Sequence, residues 1–333
     1  MAGVKTLRKL QIGTEDTAGT PVAATTIWRG MGSIHDQREV IFPEEDVGYI
    51  GGTNRSYVAR KWGELSMDSV EATFEQIGYI LQAGVQTATA SADGTGSGYI
   101  YEYIASTTAQ NDTQTYTIEG GDDQQAEEFD YCFVSSFSLS GEGQGALMMS
   151  AEWQGREVSD TTFSTGATLP SVEEIIFNNA SLYIDDCTGT IGGTAVSDTL
   201  LGMSLDYNTG IIPYWAVDGS LDFNQTKITG DDIVINLTYE HNASAASEKD
   251  NYQAGTPRQI RVKFEGTDLT TTGTAYSKKT LLLDMAGTYE DWSPLGDNDG
   301  NDIIEATLRV RYDEDAALKF EAVVVNEAAS LAE

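Results

Sequence analysis

The segment Phe137–Trp153, FSLSGEGQGALMMSAEW, decides the fold of this chain. Apolar residues alternate with polar ones on both sides of its glycine-rich centre, with Phe137 and Leu139 before the centre and Met149 and Trp153 after it. A period of two is the pattern of a half-buried β-strand, and glycine clusters between such runs mark turns. The segment therefore predicts a β-hairpin with one apolar and one polar face.

A second segment, Leu308–Val324, aligns with the first without a gap at a shift of 308 − 137 = 171 residues. Its apolar residues fall on the apolar positions of the first segment, and Asp313–Asp315 takes the place of the glycine-rich turn. The alignment predicts a second hairpin of similar design. It also predicts that the chain contains two copies of one unit.

Two segments outside the hairpins carry helix signals. In the first, Asp68 is a candidate N-cap, apolar residues recur on one helical face, and Gly84 is a stop signal. In the second, Asn242 is the candidate N-cap of an alanine-rich run that ends at Gly255. We predict a helix in each segment.

The order of the elements supports the repeat. A strand that begins with glycine precedes each predicted helix, at Gly63–Asp68 in one half and Gly219–Asn224 in the other. The Thr-, Ser- and Gly-rich stretch Val158–Pro170 lies between the halves. We therefore predict a mainly β protein with two tandem β-sandwich or barrel-like domains, residues 1–165 and 166–333, each flanked by a helix.

The charge balance excludes one class of function. The chain has 19 Lys and Arg residues against 52 Asp and Glu residues, so its formal net charge is −33 at pH 7. Nucleic-acid binding depends on clustered cations that displace counterions from phosphates, and such a cluster is not evident. No run of residues is long and apolar enough for a membrane span, so we expect a soluble intracellular product.

The sequence offers little support for catalysis. Its two histidines, His35 and His241, stand in no nucleophile motif. Carboxylate pairs that could serve a glycosidase occur, but with 52 acidic residues in turn-like segments such pairs are inevitable. We therefore predict a protein that is not an enzyme and assign no catalytic residue.

One acidic turn is a weak metal candidate. Asp297, Asp299 and Asp302 lie in the run DNDGND, which resembles the acidic part of a calcium loop. With Gly300 at the sixth position, however, the first and twelfth ligands of an EF-hand are missing. The alternative is an Asn/Asp/Gly hairpin turn ahead of a strand.

A long acidic segment, residues 33–56, is predicted to be a loop of the first half. Long loops that contain apolar residues are usually functional or packed against a partner. The second half has a shorter apolar counterpart, Tyr207–Trp215. Either the two loops serve assembly, or both fold over their own sandwich. The apolar residues of the longer loop are Ile41, Phe42, Val47, Tyr49 and Ile50.

Three stretches together resemble the major tail tube proteins of long-tailed, siphovirus-type bacteriophages. They are the opening Leu7–Gly30, the run Pro43–Gly48 and the hairpin Phe137–Gly155. The likeness covers most of the chain as a pattern of composition and order, without a single diagnostic motif. It implies β-sandwiches, each with a helix, whose sheets join neighbouring subunits into a ring, with rings stacked into a tube that conducts DNA. A duplicated chain is compatible with trimeric or hexameric rings.

The resemblance also implies roles and partners. The partners are further copies of the chain, together with tape-measure, tail terminator and distal tail proteins. DNA passes without specific binding, no cofactor is needed, and the protein is made in the host cytoplasm and resides in the virion tail. We assign ring stacking to the N-terminal arm and the long loop: Leu7, Leu10, Ile12, Ile41, Phe42, Val47, Tyr49 and Ile50. We assign contacts within a ring to the two hairpins: Phe137, Leu139, Leu147, Met149, Trp153, Leu308, Val310, Leu318, Phe320 and Val324.

A different class of function remains open from the sequence. A calcium- or carbohydrate-binding β module, such as a surface adhesin, would use exposed aromatic side chains as sugar platforms. Candidates for that role are Trp28, Trp62, Trp215 and the run Tyr99–Tyr103.

Overall fold

Antiparallel β-strands make up most of the structure, a computed structural model that describes residues 3–331. The prediction of a mainly β fold is confirmed. The elements of the first half are β1 (Lys9–Thr14), β2 (Thr26–Trp28), β3 (Gly32–Ile41), β4 (Tyr57–Glu71), α1 (Ile77–Gly84), β5 (Ser91–Ala92), β6 (Tyr99–Ile104), β7 (Tyr116–Gly121), β8 (Ala126–Glu142), β9 (Met148–Gly155) and β10 (Ser159–Thr161). Those of the second half are β11 (Ala180–Asp186), β12 (Ala195–Val196), β13 (Leu200–Asn208), β14 (Ile211–Tyr214), β15 (Gln225–Ile228), β16 (Asp232–Glu240), α2 (Ala243–Ala254), β17 (Arg258–Asp268), β18 (Lys278–Trp292), β19 (Gly296–Asn298), β20 (Asn301–Val310) and β21 (Phe320–Asn326).

The same pattern of strand pairing occurs in both halves. In the first half β7 pairs with β1 and β8, β8 pairs with β9 and β10, and β4 lies between β9 and β3. In the second half β17 pairs with β11 and β18, β18 pairs with β20 and β21, and β16 lies between β20 and β13. Helix α1 follows β4, as helix α2 follows β16.

The two halves are also joined to each other. Strand β8 pairs with β13 over seven residue pairs, from Ser136 opposite Asn208 to Glu142 opposite Gly202, and β6 pairs with β21. One apolar core contains residues of both halves, such as Trp153 and Leu308. The division into domains 1–165 and 166–333 stays a prediction, and its outer ends, residues 1, 2, 332 and 333, lie outside the described residues.

Helix α2 begins and ends where its sequence signals indicate. The Asn242 side chain accepts hydrogen bonds from the backbone N–H groups of Ser244 and Ala245, at 2.9 and 3.1 Å. Gly255 adopts a left-handed conformation, with φ of 64°, which ends the helix at the position that favours glycine. This prediction is confirmed because both signals are local.

Helix α1 begins later than predicted. Asp68 and Val70 belong to the long strand β4, and the helix starts only at Ile77, after Gln76. Strand β4 extends because it pairs with β3 on one edge and with β9 on the other. Over Asp68–Glu71 the strand partner is β9 alone, and this backbone pairing outweighed the helical spacing of the apolar residues.

The first predicted hairpin is confirmed, since β8 and β9 pair from Phe133 to Ser140. The second, Leu308–Val324, is wrong. Strands β20 and β21 are both partners of β18, and between them the structure has only the isolated bridge from Asp313 to Leu318 among the described residues. The alternation was read correctly as strands, but alternation does not specify the partner of a strand.

The predicted strand Gly219–Asn224 is also wrong. These residues lie in the connection between β14 and β15, where Phe223 is buried. The strand that corresponds to β4 is β16, which begins at Asp232. The segment therefore belongs to the loop between β13 and β16, which spans residues 209–231.

Gly141 provides a test of the contact between the halves. A side-chain carbon at this position would overlap the ring of Phe177, which is 4% exposed. We expect Gly141→Ala to lower the free energy of unfolding by about 1–3 kcal/mol, because overpacking displaces well-packed neighbours. Gly145→Ala is the control, since its nearest neighbour would lie 3.6 Å away. Equal losses in urea unfolding would contradict this packing.

A buried carboxyl group links α2 to the sheet and makes stability depend on pH. Glu248 is 7% exposed and accepts hydrogen bonds from Arg258, at 3.0 Å from Nε and from Nη2. Burial raises the pKa of Glu248 from 4.5 to about 6. The folded chain thus binds this proton more tightly than the unfolded chain, so the stabilisation is present below pH 4.5 and is lost as the pH rises through about 6.

We expect Glu248→Gln to flatten the fall in unfolding free energy over that pH interval. Urea unfolding of both proteins at several pH values measures the two slopes. Asp130, whose pKa burial also raises to about 6, contributes equally to both proteins. Identical slopes would show that Glu248 does not titrate in this interval.

Candidate assembly interface

Eight strands form one continuous layer that crosses both halves. Their order is β3, β4, β9, β8, β13, β16, β20 and β18, and every neighbouring pair is antiparallel. The joint between the halves lies at the centre of this layer, between β8 and β13. We call the layer the eight-stranded sheet.

Each end of the eight-stranded sheet has an edge without a partner. Strand β3 pairs with β4 on one side, and no strand within residues 3–331 pairs with its other side. From Thr288 onward, β18 pairs only with β20 in the described part of the chain. Unpaired edges present rows of backbone N–H and C=O groups that can bind another strand.

The two free edges correspond to the two strands of the central joint. Ile34 of β3 lies opposite Leu65 of β4, as Leu205 of β13 lies opposite Ile235 of β16. By this register, His35 takes the place of Asp206. Strand β3 is thus the counterpart of β13.

Strand β18 is the counterpart of β8, and both strands contain a register irregularity at the corresponding position. In β8 the register shifts between Val134 and Ser136, and in β18 it shifts between Tyr289 and Asp291. Bulges of this kind bend a strand and re-aim its edge. Counting onward from the bulge, residues 291–297, which comprise the end of β18 and the start of β19, take the place of Ser136–Glu142. Ser293, directly after β18, takes the place of Ser138, which lies opposite Asp206 in the joint. Pro294, in the place of Leu139, has no backbone N–H to donate.

Burial differs between the paired and unpaired counterparts. Leu205 and Tyr207 of β13 are 0% and 1% exposed. At the corresponding positions of β3, Ile34 is only half-buried and Asp36 is exposed. Charged residues on an edge strand limit unspecific pairing, and Asp36 forms an ion pair with Arg38.

The non-core face of the eight-stranded sheet is polar and acidic. It carries hydroxyl pairs such as Ser138 and Ser150, whose oxygens lie 2.8 Å apart, and carboxylates such as Glu152. Arg309 on this face pairs with Asp232 and Glu290, and these carboxylates raise the pKa of its guanidinium group above the usual range. This arginine is neutralised and is not free to hold a phosphate.

The long loop is shorter than predicted, because residues 33–41 form strand β3 and the loop spans residues 42–56. Its predicted stacking residues are exposed: Phe42 by 71%, Val47 by 46%, Tyr49 by 74% and Ile50 fully. Ile41, at the end of β3, is half-buried. Exposed apolar side chains grouped on one loop indicate a surface that contacts a partner.

The loop of the second half, predicted over Tyr207–Trp215, spans residues 209–231 and contains the hairpin of β14 and β15, and Tyr207 belongs to β13. Phe223 is 1% exposed and packs against Tyr131 and Phe133 of the first half, with ring centroids 5.2 and 6.1 Å apart. The backbone N–H of Lys61 donates to the carbonyl oxygen of Leu221, at 3.0 Å. Part of this loop therefore serves the contact between the halves, although Ile212, Tyr214 and Val217 in the same loop are exposed.

The other predicted interface residues are mostly buried in the chain's own core. Leu7 is exposed, but Leu10 and Ile12 are 4% and 1% exposed, so their side chains cannot reach another ring in this fold. Leu318 is half-buried. The remaining hairpin residues are at most 4% exposed and fill the core: Phe137, Leu139, Leu147, Met149, Trp153, Leu308, Val310, Phe320 and Val324. The strand edges, and not these side chains, are therefore what the sheet can offer to a neighbour.

The acidic turn that was the weak metal candidate is a β-hairpin turn. Asp299 and Gly300, with φ of 53° and 91°, form the two-residue turn between β19 and β20, as the hairpin alternative expected. Asp297 and Asp302 face each other across that hairpin. Within residues 3–331, no group of three or more His, Cys, Asp or Glu side chains is arranged to hold a metal ion.

The aromatic candidates are largely covered. Trp28, Tyr101 and Tyr103 are buried. Trp62 and Trp215 pack edge to face at 6.1 Å, with Arg60 beside both rings. Tyr99 is half-buried, and none of these six aromatic side chains is an open sugar platform.

Neither free edge of the sheet is among the predicted features. Residues 33–41 have the sequence of a loop, because the polar residues His35, Asp36, Arg38 and Glu39 hide the alternation of Ile34 and Val40. Charges within a weak alternation are themselves typical of an edge strand, and that signal could have identified β3.

Comparison with protein-family models found no match, and comparison with curated proteins found none either. No helix among the described residues is long and apolar enough to cross a membrane. The function therefore has to be inferred from the geometry of the edges, the polar face and the exposed loop.

Proposed function

We propose that this chain is the structural subunit of a tube, in which copies join head to tail into rings and the rings stack into a conduit for DNA, as in the tails of long-tailed bacteriophages. One observation carries the proposal. The joint between β8 and β13 inside the chain has a counterpart at the two ends of the eight-stranded sheet, where β18 and β3 are unpaired. Pairing β18 of one copy with β3 of the next repeats that joint between chains.

Such a contact is heterologous, so it generates a closed ring or an open helix. The resemblance to tail tube proteins implies rings of six units, and a chain that supplies two such units, with one joint inside the chain and one between chains, would form a ring of three chains with pseudo-sixfold symmetry. Closure would also remove the exposed edges, which otherwise invite uncontrolled aggregation. Ring closure and edge protection are then one event.

The polar face of the eight-stranded sheet suits the wall of a bore. Carboxylates such as Glu64, Glu152 and Asp206 would repel DNA phosphates, and Arg309 is already paired. A conduit should let DNA slide, and fixed free cations would hold it. The loop 42–56 would contact the next ring. In a virion tail, the further partners would be tape-measure, tail terminator and distal tail proteins, with no cofactor.

Sedimentation velocity across a concentration series tests the proposal. We expect discrete species at three chains and at larger multiples, in place of a broad distribution. A monomer at every concentration would contradict ring formation. A symmetric dimer that does not grow would contradict head-to-tail assembly, because a twofold contact uses the same surface of both copies.

A further inference from the structure

A second contact accompanies the central joint inside the chain, at the segment that leads into β11. The backbone N–H of Phe177 donates to the oxygen of Gly145, at 2.9 Å, and the N–H of Leu147 donates to the oxygen of Ile175, at 2.7 Å. The N–H of Ile175 donates to the oxygen of Ala72, at 2.8 Å. This segment thus clamps the turn between β8 and β9.

The N-terminal arm is the counterpart of that clamping segment. A short 3-10 turn lies at Lys5–Leu7 before β1, and another lies at Phe177–Asn179 before β11. Ile12 of β1 lies opposite Ile118, as Ile184 of β11 lies opposite Ile260. The shift of 184 − 12 = 172 residues aligns Gly3, Val4 and Lys5 with residues 175, 176 and 177.

The hairpin turn between β19 and β20 is the counterpart of the clamped turn. The backbone N–H of Ala72 donates to the oxygen of Leu147, at 2.7 Å, and the N–H of His241 donates to the oxygen of Asp302, at 2.9 Å. Asp302 therefore takes the place of Leu147, and Gly300 the place of Gly145. Within residues 3–331, no segment clamps this turn as residues 175–177 clamp the first.

We propose that the N-terminal arm of one copy, residues 3–8, clamps the acidic turn 297–302 of the neighbouring copy in the same ring. The inference rests on the proposed head-to-tail function and gives the arm a lateral role within the ring. In the clamp, the N–H of Lys5 donates to the oxygen of Gly300, and the N–H of Asp302 donates to the oxygen of Gly3. The N–H of Gly3 donates to the oxygen of His241.

The charges of the two surfaces are complementary. The arm carries Lys5 and Arg8, and Lys9 begins β1 directly after it. None of these three forms an ion pair with the described residues 3–331, although the ammonium group of Lys9 lies 4.1 Å from the ring centroid of Phe163. The turn carries the exposed carboxylates of Asp297, Asp299 and Asp302.

Two of the acidic groups near the arm already accept backbone hydrogen bonds, and the charge of Arg8 contributes to lowering the pKa of one of them, Asp122. Asp122 accepts from the N–H groups of Gln124 and Gln125, and Asp123 accepts from the N–H of Val4. Asp68 and Glu127 also line the groove beside the arm. In a chain of net charge −33, three cations without ion pairs beside a free sheet edge are matched by the three carboxylates at the opposite edge.

Charge reversal tests the clamp. We expect Lys5→Glu with Lys9→Glu to raise the concentration at which rings form about tenfold or more, because two attractive pairs become repulsive. Adding Asp297→Lys and Asp302→Lys to the same chain should restore assembly. The matched control adds Asp250→Lys and Asp268→Lys, which restores the net charge without complementarity, and it should stay defective. Equal rescue by both pairs would overturn the clamp.

Disulfide cross-linking tests the clamp without relying on the concentration at which rings form. In the internal joint Ala146 faces Ile176, so Asn301→Cys should face Val4→Cys of the next copy. On oxidation, we expect the double variant to form covalent multimers. Each single variant should form at most a dimer. A second cysteine pair, His35→Cys with Ser293→Cys, tests the contact between the two free sheet edges. If that pair forms multimers and the Val4→Cys with Asn301→Cys pair does not, the clamp is wrong while the ring stands. If neither pair forms multimers, the head-to-tail ring itself is wrong.

Discussion

A chain that carries His35→Cys and Ser293→Cys should form covalent multimers on oxidation, ending at a closed ring of three. The reason is that Asp206 and Ser138, their counterparts, face each other in the joint between β13 and β8. Residues directly opposite in an antiparallel pair have Cα atoms about 4.5–5.5 Å apart, within the range of a disulfide. Non-reducing gel electrophoresis measures the ladder.

Three variants serve as controls for this cross-link. Each single cysteine variant should give at most a dimer. In Glu39→Cys with Ser293→Cys, the edge strand is the same but the position is shifted by four residues, about 13 Å along the strand, so no ladder should form. The native Cys132 and Cys187 are free and buried and should not compete. A ladder from the shifted pair that equals the matched pair would disprove the register.

Replacing Phe42 and Tyr49 by Asp should abolish the growth of rings into tubes while leaving the rings intact. Both side chains are more than 70% exposed in the loop 42–56, so the folded chain does not need them. Two carboxylates at an apolar contact would have to be desolvated, which is costly, and they would add charge to an already acidic chain. We expect tube length to fall to that of single or paired rings in electron micrographs.

Val217→Asp is the matched control for the loop. Val217 is fully exposed in the loop that connects β13 to β16, and that loop already packs against its own chain. This variant should form tubes of normal length. Normal tubes from the Phe42 and Tyr49 variant would remove the stacking role of the loop 42–56, although the lateral joint would be unaffected.

Local signals in the sequence predicted local structure well. The hairpin of Phe137–Trp153 follows from alternation around a glycine-rich turn, and β8 and β9 pair there. The start of α2 follows from Asn242, whose side chain caps the helix by itself. In both cases the residues that carry the signal also make the contacts, so no distant partner has to be known.

Pairing between distant strands could not be read from the same patterns. The alternation of Leu308–Val324 is genuine, but β20 and β21 flank β18 and do not pair with each other. Val70 has helical spacing with Phe74, yet it lies in β4 because β9 is available as a partner. The free edges were hidden for a related reason, since an edge strand such as β3 buries few side chains and gives a weak alternation.

Repetition in the pairing pattern was also stronger than repetition in the sequence. The apparent shift of 171 residues joined segments that are not counterparts, whereas the pairing gives 308 − 153 = 155, which places Trp153 of β9 on Leu308 of β20. Leu65 faces the first and Ile235 faces the second. The backbones of the two halves follow the same pairing pattern, but their side chains differ. Alignment of the two sequences therefore could not detect the true counterparts.

Electron cryomicroscopy of the assembled particle shows directly which strands meet between copies, because it resolves the strand register across that contact. We predict that β3 of one copy lies antiparallel to the end of β18 of the next, with His35 opposite Ser293, around a bore lined by the polar face of the eight-stranded sheet. Copies that meet through any other surface, or that place the polar face outward, would contradict the pairing of β3 with β18 around a polar bore.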